Sequence, residues 1–589
     1  MNPSPTSQHS FLPRSSTGWA CFMAGILALT ILSGQSHGQT NLYWRLEAAN
    51  KNWSDANNWW NGSGTQAPAG SEILHFGNTI QTEMTNDLTG SAANRYRINF
   101  DSGSGERTIS GSTENTFFDF SGSAPAIYNN SGANQTIGFK IINGNSNGSN
   151  RLELNANSGK LIFNSNSNIS ASGGSRTVVA MGSSDIDMSG TVMQETGATL
   201  NLKKEGSGTL TLSGNNSFTG GVAFTDGRIN FNHSSAAGTG TIEVSDTADE
   251  FSSSSGTVSL ANSITLNTTS GTTKFYSTGT RLELSGTISG SGKILRDNTG
   301  AGDLRLSGDN SFSGGVTVTS RGIRLAHKNA LGTGTFSIGG GSTPGTAITI
   351  TADTALEGGN AIPNAVSWNQ DFTLAAVNSL EFSGATTLSG DRTATVNSGK
   401  TLTFSGGISG SGASLIKAGL GTLKLSASNS YTGATSITGG TLLLGASNVL
   451  PDASNITLSG ATLATGGYSD TVGTLTQTGT STIDLGSGSS TLTFADSHAL
   501  GWSGTLNIWN WSGGSDHLFF GSDSSGLTSG QASLVQFYSG TTGATFLGTG
   551  QMLGSGELVP VPEPAAALTA ALLALPAFRR ERGKCRRVS

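Results

Sequence analysis

Cysteine is almost missing from this chain of 589 residues, which has only Cys21 near one end and Cys585 near the other. No disulfide can cross-link the residues between them, so the stability of the body has to come from packing and hydrogen bonds. Charged residues are also scarce, at 12% of the chain against roughly 25% in ordinary soluble domains. Low charge alone would permit disorder, but the apolar residues keep a strand period and the glycines lie where strands end. The sequence therefore predicts an ordered β protein.

Motifs for metal binding and catalysis are missing as well. The seven histidines form no His-x-x-x-His or His-Glu-x-x-His pair, and no Gly-x-x-x-x-Gly-Lys-Ser/Thr loop is present. The best carboxylate pair is Asp185 and Asp187, which we expect on one face of a strand. The pair has two interpretations: a calcium or catalytic site, or two solvated carboxylates without a shared role. We assign no catalytic residue, no cofactor and no metal site.

The charge balance excludes nucleic acid as a partner. Residues 1–38 contain one arginine and no acid, and residues 579–589 contain six basic residues and one acid. The rest of the chain has 24 basic and 36 acidic residues, a net charge of −12. A body of that sign repels a phosphate backbone.

What the chain has instead is a repeated segment. Residues 206–244 return as 300–338 and, less closely, as 420–458. Each copy alternates polar and apolar residues with a period of two, as strands do, and has glycine and asparagine in between, as turns do. One aligned position, at Asn216, Asn310 and Asn429, is expected at matching turns with its amides stacked along the axis. Two other aligned positions are expected in a shared core, because stacked copies cover each other's apolar faces; their residues are Leu212, Leu306, Leu425, Phe218, Phe312 and Tyr431.

The repeat has the pattern Gly-x-Gly-Thr-Leu-x-Leu-Ser-Gly-x-Asn-Ser-Phe/Tyr-x-Gly-Gly. A strand follows, and the repeat then ends with the segment Ala-Leu-Gly-Thr-Gly-Thr, as at residues 330–335. It resembles the autotransporter-associated beta-strand repeat of bacterial surface proteins. The third copy departs from this pattern at Ala427, where the other two have glycine, and it lacks the Gly-Thr residues of the final segment. The resemblance implies an all-β fold, a right-handed parallel β-helix (solenoid) with aromatic-rich end regions. We expect some 20 coils at about 4.8 Å per coil.

The ends of this body are rich in aromatic residues. Trp44, Trp53, Trp59 and Trp60 crowd into residues 43–78, and a second cluster occupies 502–520 with Trp502, Trp509, Trp511, Phe519 and Phe520. Each cluster has two interpretations. We favour a cap that covers the open end of the solenoid, and the alternative is a binding site, at the first cluster a platform on which sugars stack.

The N-terminus is typical of a secretory signal. Arg14 precedes an apolar stretch at residues 19–32, and small residues at 36–38 offer a cleavage site. A transmembrane anchor is the alternative, but the apolar stretch is short for one.

The C-terminus contains a short motif, a 14-residue apolar run and a basic cluster, in that order. This order resembles the PEP-CTERM sorting signal, which implies an exosortase that recognises it at the membrane and removes it. The apolar run would anchor the chain transiently in the inner membrane, with the basic residues on the cytoplasmic side. An ordinary weak C-terminal anchor is the alternative. The residues that carry the resemblance are Val561, Pro562, Glu563, Pro564, Arg579, Arg580 and Arg582.

These observations divide the chain into six parts. In order they are a signal peptide at 1–38, a Trp-rich cap at 39–100, degenerate coils at 101–205, the repeats at 206–458, C-terminal coils and a cap at 459–558, and the sorting signal at 559–589.

Two functions from different classes remain open. The first is a non-catalytic surface or extracellular-matrix protein, adhesive or structural, that is processed by the secretion machinery and exosortase and associates with exopolysaccharide or cell-surface glycans. The second is an extracellular polysaccharide lyase or hydrolase, because parallel β-helices can present clustered carboxylates on one face. The lack of a charged cluster on successive strands favours the first.

Overall fold

A computed structural model describes residues 40–561, apart from 46–47, 49, 79–80, 118–123, 145–149, 192, 196, 269–271, 298, 341–346, 376 and 542–543. The expected signal peptide and nearly all of the expected sorting signal lie outside the described residues. Within them the chain is almost entirely β, and the prediction of a parallel β-helix is confirmed.

Most strands are short, with turns between them, and they are numbered here in chain order. Strands β1 to β15 are Asn41–Trp44, Trp59–Trp60, Glu72–Phe76, Glu83–Thr85, Asn94–Phe100, Arg107–Phe117, Ala126–Asn129, Gln135–Asn143, Arg151–Ala156, Leu161–Phe163, Ile169–Ala171, Arg176–Met181, Ile186–Met188, Met193–Glu195 and Leu200–Lys204.

Strands β16 to β34 follow through the first two repeats. They are Thr209–Leu212, Val222–Phe231, Ile242–Ser253, Thr257–Leu260, Ile264–Asn267, Thr272–Ser277, Arg281–Leu284, Ile288–Gly290, Lys293–Arg296, Asp303–Leu306, Val316–Val318, Arg321–Leu325, Phe336–Ile338, Ile348–Ala352, Val366–Trp368, Phe372–Leu374, Leu380–Phe382, Thr386–Leu388 and Arg392–Val396.

Strands β35 to β52 complete the stack. They are Thr401–Phe404, Ile408–Gly410, Leu415–Ala418, Thr422–Leu425, Ser430–Tyr431, Thr435–Ile437, Thr441–Leu444, Ile456–Ser459, Thr462–Ala464, Asp470–Val472, Leu475–Thr478, Ser481–Asp484, Thr491–Phe494, Leu506–Trp509, His517–Phe520, Val535–Tyr538, Phe546–Met552 and Leu558–Val561. The described helices are three 3-10 turns, at Ala56–Asn58, Gly90–Ala93 and Gly358–Asn360, and one short α-helix, α1, at Ser529–Ser533.

Most strands pair in parallel with a strand one coil further along the chain. Ile186 of β13 is in register with Leu210 of β16, which is in register with Ile229 of β17, and the ladder continues to Phe251 of β18 and Phe275 of β21. Among the described strand pairs only β1–β2, β50–β51 and β51–β52 are antiparallel. All three lie at the ends of the stack, where no further coil is available for pairing.

The stack contains about 17 turns, fewer than the 20 expected. Coils near the N-terminus are longer than the repeats: Leu42 pairs with Leu74, 32 residues later, whereas Leu210 pairs with Ile229, 19 residues later. Longer coils use more chain for the same rise. At the spacing of neighbouring strands, 17 turns give a height of about 80 Å.

The interior is a set of apolar columns that run along the stack. Alternate residues of each strand point inward, so in β16 Leu210 and Leu212 are buried while Thr209 and Thr211 lie at the surface. Stacked rings fill one column, in which the ring centres of Phe231 and Phe251 are 4.9 Å apart and those of Phe251 and Phe275 also 4.9 Å. The coils above and below therefore complete the burial of each coil's apolar side chains.

This arrangement predicts a sharp difference between adjacent positions. Leu212→Asp places a carboxylate in the apolar column and should lower the free energy of unfolding by at least about 3 kcal/mol, because a buried charge without a partner is costly. Thr211→Asp puts the same charge on the outer face and should change it by about 0.5 kcal/mol or less. Denaturant unfolding followed by circular dichroism measures both. Equal effects would contradict the assignment of the inner face.

Candidate functional site

The aligned asparagines of the repeats lie at the corner that follows β16 and its counterparts. The side chain of Asn216 is nearly fully buried. Its Oδ1 accepts a hydrogen bond from the backbone N–H of Met193 in the preceding coil at 2.8 Å, and its Nδ2 donates to the carbonyl of Ala236 in the following coil at 2.7 Å. One amide therefore ties three successive coils together.

The other two repeats have the same bridge. Asn310 accepts from Ile288 N–H at 2.8 Å and donates to Ala330 at 2.7 Å. Asn429 accepts from Ile408 N–H and donates to Val449, at 2.7 and 2.6 Å. These amides bond to backbone along the axis and not to one another as expected, because their partners are main-chain groups of the adjacent coils.

A buried polar side chain occupies a second corner, just before each of the repeats. The ammonium of Lys417 donates to the carbonyls of Ala418, Gly419 and Gly439 at 2.9, 2.8 and 3.0 Å, and the residue is fully buried. Burial lowers the pKa of Lys417 to about 8. Gly419 has a φ of 76°, and a Cβ there would lie 2.4 Å from the carbonyl oxygen of Val396.

Equivalent donors stand at the same corner in other coils. Lys204 donates to Glu205, Gly206 and Asp226, and the buried guanidinium of Arg296 donates to Asp297, Thr299, Gly300 and Gly302. Burial also lowers the pKa of Arg296, to about 10. The sequence does contain a signal for two of these donors, since Lys204 and Lys417 each stand two residues before Gly-x-Gly-Thr-Leu. The strand alternation also puts both on the inward face, but the residue type argues against burial, since lysine is usually solvated.

The expected core positions of the repeats are all buried: Leu212, Leu306, Leu425, Phe218, Phe312 and Tyr431. The Tyr431 hydroxyl lies 2.7 Å from the Thr435 hydroxyl, which lies 2.8 Å from that of Ser454. Burial raises the pKa of Tyr431 above that of a free tyrosine. This hydroxyl chain replaces the purely apolar packing of Phe218 and Phe312.

Of the expected sorting residues, the structure describes only Val561. It ends β52 and is 39% exposed. Pro562, Glu563, Pro564, Arg579, Arg580 and Arg582 lie outside the described residues. In the part of the chain that the structure does describe, no helix combines the length and apolar character of a membrane span.

The carboxylate pair singled out from the sequence lies on the outer surface. Asp185 accepts a hydrogen bond from the backbone N–H of Thr209 at 3.0 Å, and Asp187 accepts one from Ser189 N–H at 2.9 Å. The carboxylate of Asp185 therefore links two successive coils, and that of Asp187 supports a local turn. Across residues 40–561, less the gaps given above, no group of three or more His, Cys, Asp or Glu side chains converges.

The N-terminal tryptophans are divided between the interior and the surface. Trp44, Trp53 and Trp59 are buried in the first coils, where Trp44 and Trp59 meet edge to face with centres 5.0 Å apart. The indole N–H of Trp59 donates to the carbonyl of Trp53 at 2.9 Å. Trp60, on the other side of β2, is 47% exposed.

The C-terminal aromatic cluster is also divided. Trp511 is buried against Phe537 with ring centres 4.8 Å apart, and Phe520 stacks on Phe494 at 4.9 Å. The indole N–H of Trp502 donates to the Leu475 carbonyl at 2.9 Å. Phe519 and Trp509 alternate with these residues on the outward side of their strands.

The buried Lys417 predicts an unusual dependence of stability on pH. Its pKa is lower in the folded protein than in the unfolded chain, so between about pH 8 and 10.4 the unfolded state binds more protons and the stability contributed by this site rises with pH. Lys417→Gln is the matched control, because Gln477 donates to the Gly479 and Thr505 carbonyls at the equivalent corner. From pH 7.5 to 9.5 the wild type should gain on the order of 1–2 kcal/mol relative to this variant in denaturant unfolding. A constant difference would show that burial does not lower the pKa of Lys417.

Comparison with known proteins places the repeats in a family. Residues 202–230, 299–322 and 415–444 match the family described as Passenger-associated-transport-repeat. Each match overlaps one of the three repeats found in the sequence. No solved structure gives a significant match.

A curated relative is similar over a limited stretch. The adhesin BmaC autotransporter of Brucella suis biovar 1 (strain 1330) is 35% identical over 152 residues, which is 24% of this chain and 4% of the relative. The chain thus spans only a small fraction of that protein's length. Together, the two matches support the assignment of autotransporter-associated repeats to this β-helix.

Proposed function

We propose that the protein is an exported, non-catalytic β-helix that acts at the cell surface or in the extracellular matrix as an adhesive or structural element. The observation that carries this proposal is how the stack uses its side chains. Buried polar groups such as Asn216 and Lys417 bond one coil to the next, as does the carboxylate of Asp185, and the carboxylate of Asp187 supports a turn. What remains for other molecules is a long outer surface of strands.

The similarity to an adhesin autotransporter supports the same proposal. Stability without disulfides suits a chain that crosses a membrane before it folds, because each coil needs only its neighbours. We further propose that the sorting motif at 561–564 and the basic residues near 579–582 direct processing by an exosortase, after transient anchoring in the inner membrane. Association with exopolysaccharide or cell-surface glycans follows as the adhesive role.

The first test concerns location and adhesion. Antibody against the β-helix should label intact cells, and a strain that lacks the protein should lose at least about half of its attachment to polysaccharide-coated surfaces or to neighbouring cells. Complementation with the wild-type gene is the control. Labelling only after permeabilisation would contradict the proposal, and so would cleavage of polysaccharide by the purified protein.

The second test concerns the C-terminal segment. A chain that lacks residues 561–589 should still be secreted across the inner membrane but should be missing from its normal surface or extracellular site. A control deletion of equal length from the predicted degenerate coils should reduce the amount of folded protein, but the protein that does fold should still reach the normal site. Normal surface amounts of the truncated chain would show that the segment is not a sorting signal.

A further inference from the structure

Aromatic and polar side chains form one outward row across the first coils. Trp60 of β2 is in register with Tyr43 of β1, which is in register with His75 of β3, and the row continues through Asn99 of β5 to Tyr128 of β7. These five residues are called the aromatic row. It crosses four strand spacings, which amounts to about 20 Å along the solenoid axis.

The rings of the row are packed against one another at the N-terminal end. Tyr43 and His75 stack with centres 4.6 Å apart and planes 24° from parallel, and Trp60 lies 6.5 Å from Tyr43 at 48°. Of the four tryptophans in this segment, Trp60 alone is exposed, with 47% of its surface accessible. A large exposed ring fixed beside other rings is a typical recognition feature rather than a requirement of the fold.

Polar groups that can bind hydroxyls flank the rings. His75 Nδ1 lies 3.1 Å from Asp101 Oδ1, and its Nε2 lies 3.3 Å from Asn41 Oδ1. At the other end of the row, the Tyr128 hydroxyl donates to Glu153 at 2.5 Å. The guanidinium of Arg97 lies 4.8 Å from the centre of the Tyr128 ring, a cation–π contact.

The charges on this face balance one another. Asp101 faces His75, Glu153 pairs with Arg151 at 2.7 Å, and Arg97 covers the Tyr128 ring. The body of the chain is acidic, with the net charge of −12 derived above, so a polyanion would be repelled. A neutral ligand is therefore favoured.

We propose that the aromatic row binds a neutral hexose polysaccharide laid along the solenoid axis, a proposal that rests on the adhesive function proposed above. Because Tyr43 and His75 cover each other's faces, the C–H face of one pyranose ring stacks on the exposed Trp60 ring, and the sugars that follow contact the outward ring edges of the row. Their hydroxyls bond to the flanking carboxylate, amide and guanidinium groups. The length of the row suits several consecutive sugars. Its width of one residue, with polar groups on both sides, lacks the broad apolar centre that a protein partner needs.

The test measures binding of the full-length purified protein to neutral hexasaccharides: cellohexaose, laminarihexaose and mannohexaose, with hexagalacturonate as the acidic comparison. Wild type should bind at least one neutral oligomer and bind it at least tenfold more tightly than hexagalacturonate. The Tyr43→Ala and Trp60→Ala double variant should bind that oligomer at least tenfold more weakly, whereas Trp60→Phe should retain most of the affinity. Tyr468→Ala is the matched control, since Tyr468 is a 41% exposed tyrosine outside the row, and it should bind like wild type.

Four results would overturn the proposal: no binding of any neutral oligomer by the wild type, tighter binding of the acidic one, unchanged affinity in the double variant, and Trp60-dependent attachment to glycan-free, protein-coated beads. If loss of Tyr43 impairs folding, the exposed Trp60→Ala variant decides alone. If the aromatic row does not bind oligosaccharides, intact cells should still be labelled by the antibody and should still attach. If intact cells are not labelled, the proposed surface function is wrong even where the purified protein binds an oligosaccharide.

Discussion

The whole stack depends on hydrogen-bond partners for the backbone N–H and C=O groups at the corners of the coils. Along the strands, parallel ladders pair the N–H and C=O groups of one coil with those of the next. Where the chain turns, the ladder is interrupted while the backbone remains buried, and an unpaired buried polar group destabilises the fold. At one corner the side-chain amide of Asn216 supplies an acceptor for a backbone N–H and a donor for a backbone carbonyl. At another corner the ammonium of Lys417 donates to three backbone carbonyls.

This constraint explains the composition. A protein held by columns of apolar side chains and by corner bridges needs no disulfide, which agrees with a body that has no cysteine between Cys21 and Cys585. It also needs few charges, and some of the charges it has are used internally. Arg296 is fully buried and donates four hydrogen bonds to backbone carbonyls, so its charge belongs to the fold and not to the surface.

The sequence predicted the features that depend on local periodicity. Alternation at 209–212 is a property of one strand, and it correctly assigned Leu212 inward and Thr211 outward. The burial of the lysines could not be predicted in this way: the alternation puts Lys417 on the same face as Leu415, but a lysine in a strand is usually solvated. Nor could the sequence separate Trp59 from Trp60, since their faces depend on the antiparallel pairing of β2 with β1. The number of coils was overestimated because long N-terminal turns carry no periodic signal.

The central claim is that the described residues form one uninterrupted stack, on which both the corner bridges and the aromatic row depend. Small-angle X-ray scattering of the purified protein tests it most directly. An uninterrupted stack predicts a rod-like profile with a length of about 80 Å or more. A near-spherical particle, or two compact bodies joined by a flexible segment, would contradict the account.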